Sequence, residues 1–140
     1  MLFPKKVKFR KSHTFRRNPE RALTASRGLT VAFGSHGLKA TSHARVRSNQ
    51  IESARKVIAR NLGKSGKQWI RIFPDKPYTQ KPPEVKLGKG KGDIAGYEVE
   101  VWPGRVLFEI DGVSEEVAHK ALIGAAQKLP LKTKVIARQH

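Results

Sequence analysis

The chain has 140 residues, enough for one folded domain with one core, with 38% apolar residues, 29% charged residues and no cysteine. That composition argues against a wholly disordered chain and excludes a disulfide framework or a thiolate zinc site, and no apolar run approaches the roughly 18 to 20 residues of a membrane span. Twenty-nine Lys and Arg against 11 Asp and Glu leave a formal charge of +18, self-repulsion that a polyanionic partner would relieve: nucleic acid first, an anionic membrane surface second.

The charge is uneven. Residues 1–50 hold 12 basic and 1 acidic side chain, net +11. Residues 51–96 hold 11 and 4, net +7, and residues 97–140 hold 6 and 6, net 0. The first two thirds therefore read as a partner-facing surface and the last third as an ordinary domain surface. A membrane reading would want a basic amphipathic helix or a lipid anchor, and neither is evident.

Residues 1–28 read as an extended basic arm, with Lys5, Lys6, Lys8, Arg10, Lys11, Arg16 and Arg17 as candidate phosphate contacts. Phe3, Phe9 and Phe15 give it rings to stack or pack, against the plainer reading of a solubility tail. It has neither the apolar centre of a signal peptide nor the character of a transit peptide. Residues 29–140 read as one α+β domain. Leu29 to Gly34 alternates like a strand, and residues 38–47 continue the sheet. Ser48-Asn49-Gln50-Ile51-Glu52 starts a helix, with Asn49 and Glu52 spaced as a capping box and Ser48 as the competing cap. Ile51, Ala54, Ile58 and Leu62 then share one face. Lys56, Arg60 and Lys64 share another, with Arg55 beside the apolar seam. Gly63 and Gly66 supply the stop.

Residues 67–73 form a strand that Pro74 ends. Residues 97–102 and 105–110 are strands around the Pro103-Gly104 turn. Ser114 caps a second helix, whose apolar face is Val117, Ala118, Ala121, Leu122, Ala125 and Leu129. Pro130 stops it, and residues 131–138 make a last strand. The sum is about six strands, mostly antiparallel, covered by two helices on one face.

Residues 74–96 remain as a long Gly/Lys/Pro loop. Structureless loops beyond about 12 to 15 residues are uncommon in compact domains unless functional or disordered. Doubled back, this one reaches up to about 35 Å at ~3.3 Å per residue. Lys86, Gly88, Lys89, Gly90, Lys91 and Gly92 combine closely approachable backbone with positive charge, which suits a probe entering an anionic place. The plainer reading is a flexible linker. A Walker loop is excluded because Gly92 is followed by Asp93 rather than by Lys-Ser/Thr and a helix.

No catalytic constellation, metal set or cofactor motif is visible. The five histidines have no carboxylate cluster beside them, and His119 reads as a surface residue. Trp69 and Trp102 read as core or rim residues of strands, with stacking on RNA the sharper alternative for Trp69.

Several segments together resemble one family. They are Met1-Leu2-Phe3-Pro4-Lys5, Lys8-Phe9-Arg10-Lys11, Gly37-Leu38-Lys39-Ala40, Gln50-Ile51-Glu52, Trp69-Ile70-Arg71-Ile72-Phe73-Pro74-Asp75-Lys76-Pro77, Gly88-Lys89-Gly90-Lys91-Gly92, Pro103-Gly104-Arg105-Val106-Leu107-Phe108-Glu109 and Lys128-Leu129-Pro130-Leu131-Lys132-Thr133. In that order they resemble the bacterial-type large-subunit ribosomal protein L sixteen family across essentially the whole chain. Lys86-Leu87 stands where that family usually has Arg-Met, and Glu98 where it has Trp. The resemblance implies a non-catalytic protein that binds large-subunit ribosomal RNA near the peptidyl-transferase centre. It implies a loop pointing toward the acceptor ends of tRNA between the A and P sites, and a part in late subunit assembly. It implies tRNA and neighbouring ribosomal proteins as further partners, with no membrane. The arm, Arg55, Lys56 and Arg60 would then meet ribosomal RNA, and the 86–92 loop would face tRNA. Because the chain starts where the family starts, an added transit peptide is not expected, which fits a bacterial ribosome or that of an organelle. The alternatives are a freestanding basic RNA-binding protein or chaperone and, with no acid or histidine set to support it, a small nuclease.

Overall fold

The computed structural model describes residues 1–6, 11, 24–80 and 91–139. Their elements in chain order are β1 (His36–Ala40), β2 (Ala44–Arg47), α1 (Ser48–Leu62), β3 (Lys67–Ile70), β4 (Lys76–Gln80), β5 (Asp93–Val101), β6 (Val106–Asp111), α2 (Glu115–Ala126) and β7 (Thr133–Ala137). The α+β reading holds, but as two antiparallel sheets: a four-stranded one ordered β3-β6-β1-β7 and a three-stranded one ordered β2-β5-β4.

Helix α1 follows its apolar spacing, with Ile51, Ala54, Ile58 and Leu62 buried. Its cap differs from expectation. The first strand of the small sheet runs straight into the helix, so Arg47 is the N-cap, and its backbone N–H donates to the Gln50 side chain at 2.9 Å. The Ser48 hydroxyl is spent elsewhere, donating to the Leu2 carbonyl at 2.6 Å. Gly63 ends the helix at φ 64° and donates its N–H to the Ala59 carbonyl, a conformation glycine adopts without steric cost. Helix α2 starts at Ser114 as expected, with Glu115 and Glu116 in its first turn where the dipole favours acids. It stops at Ala126, so Leu129 is buried from the turn beyond it.

The alternating 29–34 segment is not a strand. Its N–H groups at Ala32, Phe33 and Gly34 go to the Glu109 side chain instead of a neighbouring backbone. The segment becomes a strap across the large sheet, and the first strand begins at His36. Nor is 74–96 structureless. Lys76 to Gln80 pairs with Asp93 to Glu98, so the described ends of the expected loop form a two-stranded ribbon. Strand β4 is an edge strand, which is where Pro77 can sit without breaking a ladder. Residues 71–73 lie outside β3, although the Arg71 N–H still donates to the Leu107 carbonyl.

Directly opposed residues share a sheet face. Leu38, Phe108, Ile70 and Val135 share one face of the large sheet through their pairings. There the helices close a single core with Ile51, Ile58, Ala121 and Leu122. Gly37, Glu109, Trp69 and Ile136 share the other face, which the strap crosses. Its closeness explains Gly37, where a Cβ would lie 2.9 Å from a Val31 methyl.

Candidate nucleic-acid interface

Three features with basic or aromatic chemistry face outward: α1, the arm–ribbon junction and the strap. On α1 the four-residue spacing brings Lys56 and Arg60 to exposed positions opposite the buried seam, and Lys64 is exposed in the turn just beyond the helix. Arg55 differs from them. Its guanidinium grips Glu52 through two hydrogen bonds, Nη2 to Oε1 at 2.6 Å and Nε to Oε2 at 3.1 Å. That hydrogen bonding holds the Glu52 carboxyl below its ordinary range and raises Arg55. Arg55 thus presents a compensated charge, whereas Lys56 and Arg60 present theirs to solvent.

The start of the arm is anchored. Besides the Leu2 carbonyl bond, the Phe3 ring meets Tyr97 edge-on at 6.3 Å. Lys5 and Lys6 are exposed just beyond. Lys11 donates from Nζ to the Lys91 carbonyl at 3.3 Å, so the arm touches the ribbon where β5 begins. The far end of the arm is tied too: Ala25 N–H donates to the Pro103 carbonyl, and the Gly28 carbonyl accepts from Val106.

The ribbon is braced at its root. Arg47 lies over the Tyr78 ring, 4.4 Å from its centroid. Gly96 faces that ring so closely that a Cβ would stand 2.8 Å from the Tyr78 hydroxyl. Beside it, Arg45 and Lys76 approach Glu100 at 3.3 and 3.7 Å. Glu100, and Glu98 at 4.0 Å from Arg45, are thereby compensated within the protein. Lys91 and Gly92 enter β5; Lys86, Gly88, Lys89 and Gly90 lie outside the described residues, as do Lys8, Arg10, Arg16 and Arg17 of the arm.

The strap holds what the sequence reading missed. Glu109, with no solvent exposure, accepts three consecutive backbone N–H groups on Oε1: Ala32 at 2.8 Å, Phe33 at 2.7 Å and Gly34 at 3.0 Å. Its Oε2 accepts from Arg71 Nη1. Burial pushes this carboxyl up, but the Gly34 N–H, the Arg71 guanidinium and the Phe33 N–H outweigh it and hold the group below its ordinary range. The result is an outward-facing trio: Phe33 is stacked on Trp69 (centroids 6.2 Å apart, planes 23° apart), and the Arg71 guanidinium carbon lies 5.0 Å from the centre of the Phe33 ring. Trp69 is thus half-buried at a rim, not in the core. The alternation of Trp69, Arg71 and Phe73 was the available signal, since those three share one side of an extended chain.

Other sequence expectations find their places. Trp102 stacks on His43 at 4.1 Å, and His119 is exposed beside Glu115. Among the described residues no cluster of three or more His, Asp or Glu is arranged to hold a metal, and no helix is long and apolar enough to cross a membrane.

Comparison with known proteins adds a direct finding. The family model described as ribosomal protein L16p/L10e matches residues 4–136. A Fervidobacterium nodosum protein named large ribosomal subunit protein uL16 is 54% identical over 140 residues, covering 100% of this chain and 96% of the relative. A Psychrobacter arcticus protein of the same name is 50% identical over 138 residues, covering 99% and 98%.

Proposed function

We propose, for a chain that belongs to the ribosomal protein L16p/L10e family, a division of labour between an RNA-anchored domain and a projecting ribbon. The chain is a structural constituent of the large ribosomal subunit, a ribosomal-RNA-binding part of the translation machinery rather than an enzyme. In this reading the arm (Lys5, Lys6, Lys8, Arg10, Lys11, Arg16, Arg17) and α1 (Arg55, Lys56, Arg60) hold large-subunit RNA near the peptidyl-transferase centre. Lys86, Gly88, Lys89, Gly90, Lys91 and Gly92, which fall in sequence between β4 and β5, face tRNA in the A site, next to the P site. Neighbouring ribosomal proteins complete the setting, and seating the domain supports late subunit assembly. The observation that carries the reading is the union of arm and ribbon: Lys11 meets Lys91 beside the outer end of the β4–β5 pairing, next to a stretch of sequence rich in Gly and Lys. Cations that neutralise phosphate and a backbone that lies close against it then converge on one place.

The test is salt dependence. Each neutralised phosphate contributes about −0.9 to the slope of log affinity against log salt on duplex, and about −0.7 on single strands. Filter binding of the full chain to large-subunit RNA from 50 to 200 mM salt is expected to give a steep slope. Lys56→Gln and Arg60→Gln should each flatten it by about one such step. Arg55→Gln should change it less, because Glu52 already compensates Arg55. A nearly salt-independent affinity contradicts the reading.

A further inference from the structure

We propose that Phe33 is a stacking platform for one unpaired nucleobase of the large-subunit RNA, a site on the strap separate from the arm, α1 and the ribbon. The proposal rests on the RNA-binding reading above and adds a second mode of contact to it. Among the described residues no aromatic ring is more exposed than Phe33, at 55%. An exposed Phe on a loose loop would mean little. This one is held from both directions.

From below, its own N–H and those of its two neighbours converge on one fully buried carboxylate oxygen. That leaves residues 32–34 little freedom to swing. From the side, Trp69 stacks on it and the Arg71 guanidinium lies over it. Burying a carboxylate is costly unless it is paired and fully hydrogen-bonded. Here the whole arrangement of carboxylate, guanidinium and three amides fixes a ring that points into solvent. Core packing gains nothing from that ring.

Rigid aromatic rings beside arginine are what unpaired bases stack on, because every base offers a π-face. The ring needs no cation of its own to attract RNA, since residues 1–50 carry net +11. Arg71 acts as a positioning residue, since its charge is matched by Glu109 and its role is to orient Phe33. The occupant is a base rather than a protein side chain because the strap lies in the strongly basic part of the chain, whereas the neutral stretch is 97–140.

The experiment uses the full chain and large-subunit particles washed free of this protein. Rebinding is measured for wild type, Phe33→Leu and Phe33→Trp across a salt series, with ultraviolet cross-linking and mass spectrometry of the strap peptide. Phe33→Leu is expected to weaken rebinding about tenfold, within the span expected from losing one base–aromatic stack. Its salt slope should stay unchanged, because no phosphate contact is lost, and Phe33→Trp should restore affinity. A nucleotide should cross-link to the strap peptide in wild type and not in Phe33→Leu. Wild-type affinity for Phe33→Leu together with a steep salt slope overturns the platform and leaves the RNA-binding reading intact. A cross-link from the strap to a protein overturns it in favour of a protein partner. Failure of wild type to rebind at all overturns the RNA-binding reading, and this inference with it.

Discussion

Replacing Glu109 by alanine is expected to lower the folding stability by about 3–5 kcal/mol, the usual cost of removing one partner of a buried ion pair. The Arg71 guanidinium loses its counter-charge, and three strap N–H groups lose their shared acceptor. For a domain of this size about 1 kcal/mol shifts the melting temperature by roughly 3–4 °C, so the midpoint should fall by roughly 10–20 °C. Glu109→Gln should cost less, because its carbonyl still accepts from the strap while its amide faces the Arg71 donor. The pH dependence gives a second check. The folded carboxyl lies below its ordinary range, so its contribution is fully present above the unfolded value of about 4.3 and is lost as pH falls through the folded value. The stability gap between wild type and Glu109→Gln, taken from urea midpoints, should therefore be constant near neutrality and narrow in acid. A gap that widens in acid would show that the carboxylate is not what holds the strap.

Gly34→Ala is expected to cost about 3 kcal/mol, the upper end of the overpacking range. A Cβ there would overlap the Ile110 carbonyl oxygen and lie 2.9 Å from the Ile110 carbon. Those are backbone atoms of a central strand and cannot yield as a flexible side chain would. The strap must lift, and lifting it stretches the three bonds to Glu109. Gly63→Ala is the useful comparison: its Cβ would meet nothing within 4 Å, and only its backbone, at φ 64° and ψ −147°, opposes the change, a penalty of about 1–3 kcal/mol for a conformation open essentially to glycine alone. Because Gly34→Ala and Glu109→Gln break the same contact, their costs should combine to less than their sum. Strict additivity in denaturant melts would mean that strap and carboxylate are independent.

What was legible in the sequence had local causes. Helix α1 could be read because its seam of Ile51, Ala54, Ile58 and Leu62 repeats at the helical period. Its cap could not, since it depends on β2 arriving directly at Arg47 and on the arm consuming Ser48. The ribbon was hidden by Pro77, which argues against a strand unless the strand is known to be an edge. The strap was hidden by its alternation. Residues 29–34 look like a strand, and only a carboxylate some 75 residues away diverts their N–H groups. Glu109 stands in sequence between apolar neighbours, with nothing local to mark it as the acceptor of the strap. The basic candidates on α1 needed only spacing and charge, whereas the Phe33 trio needed the tertiary contact between strap and β3.

The most direct test of the account is a sucrose-gradient comparison of wild type with a chain lacking Gly88–Gly92, each as the sole copy in growing cells, probed in free, precursor and mature large-subunit fractions. The account predicts that wild type tracks the large subunit and that the truncated chain still enters it but slows translation. Wild type at the top of the gradient would contradict it and favour a freestanding RNA-binding protein, and a truncated chain translating at the wild-type rate would remove the ribbon from tRNA placement.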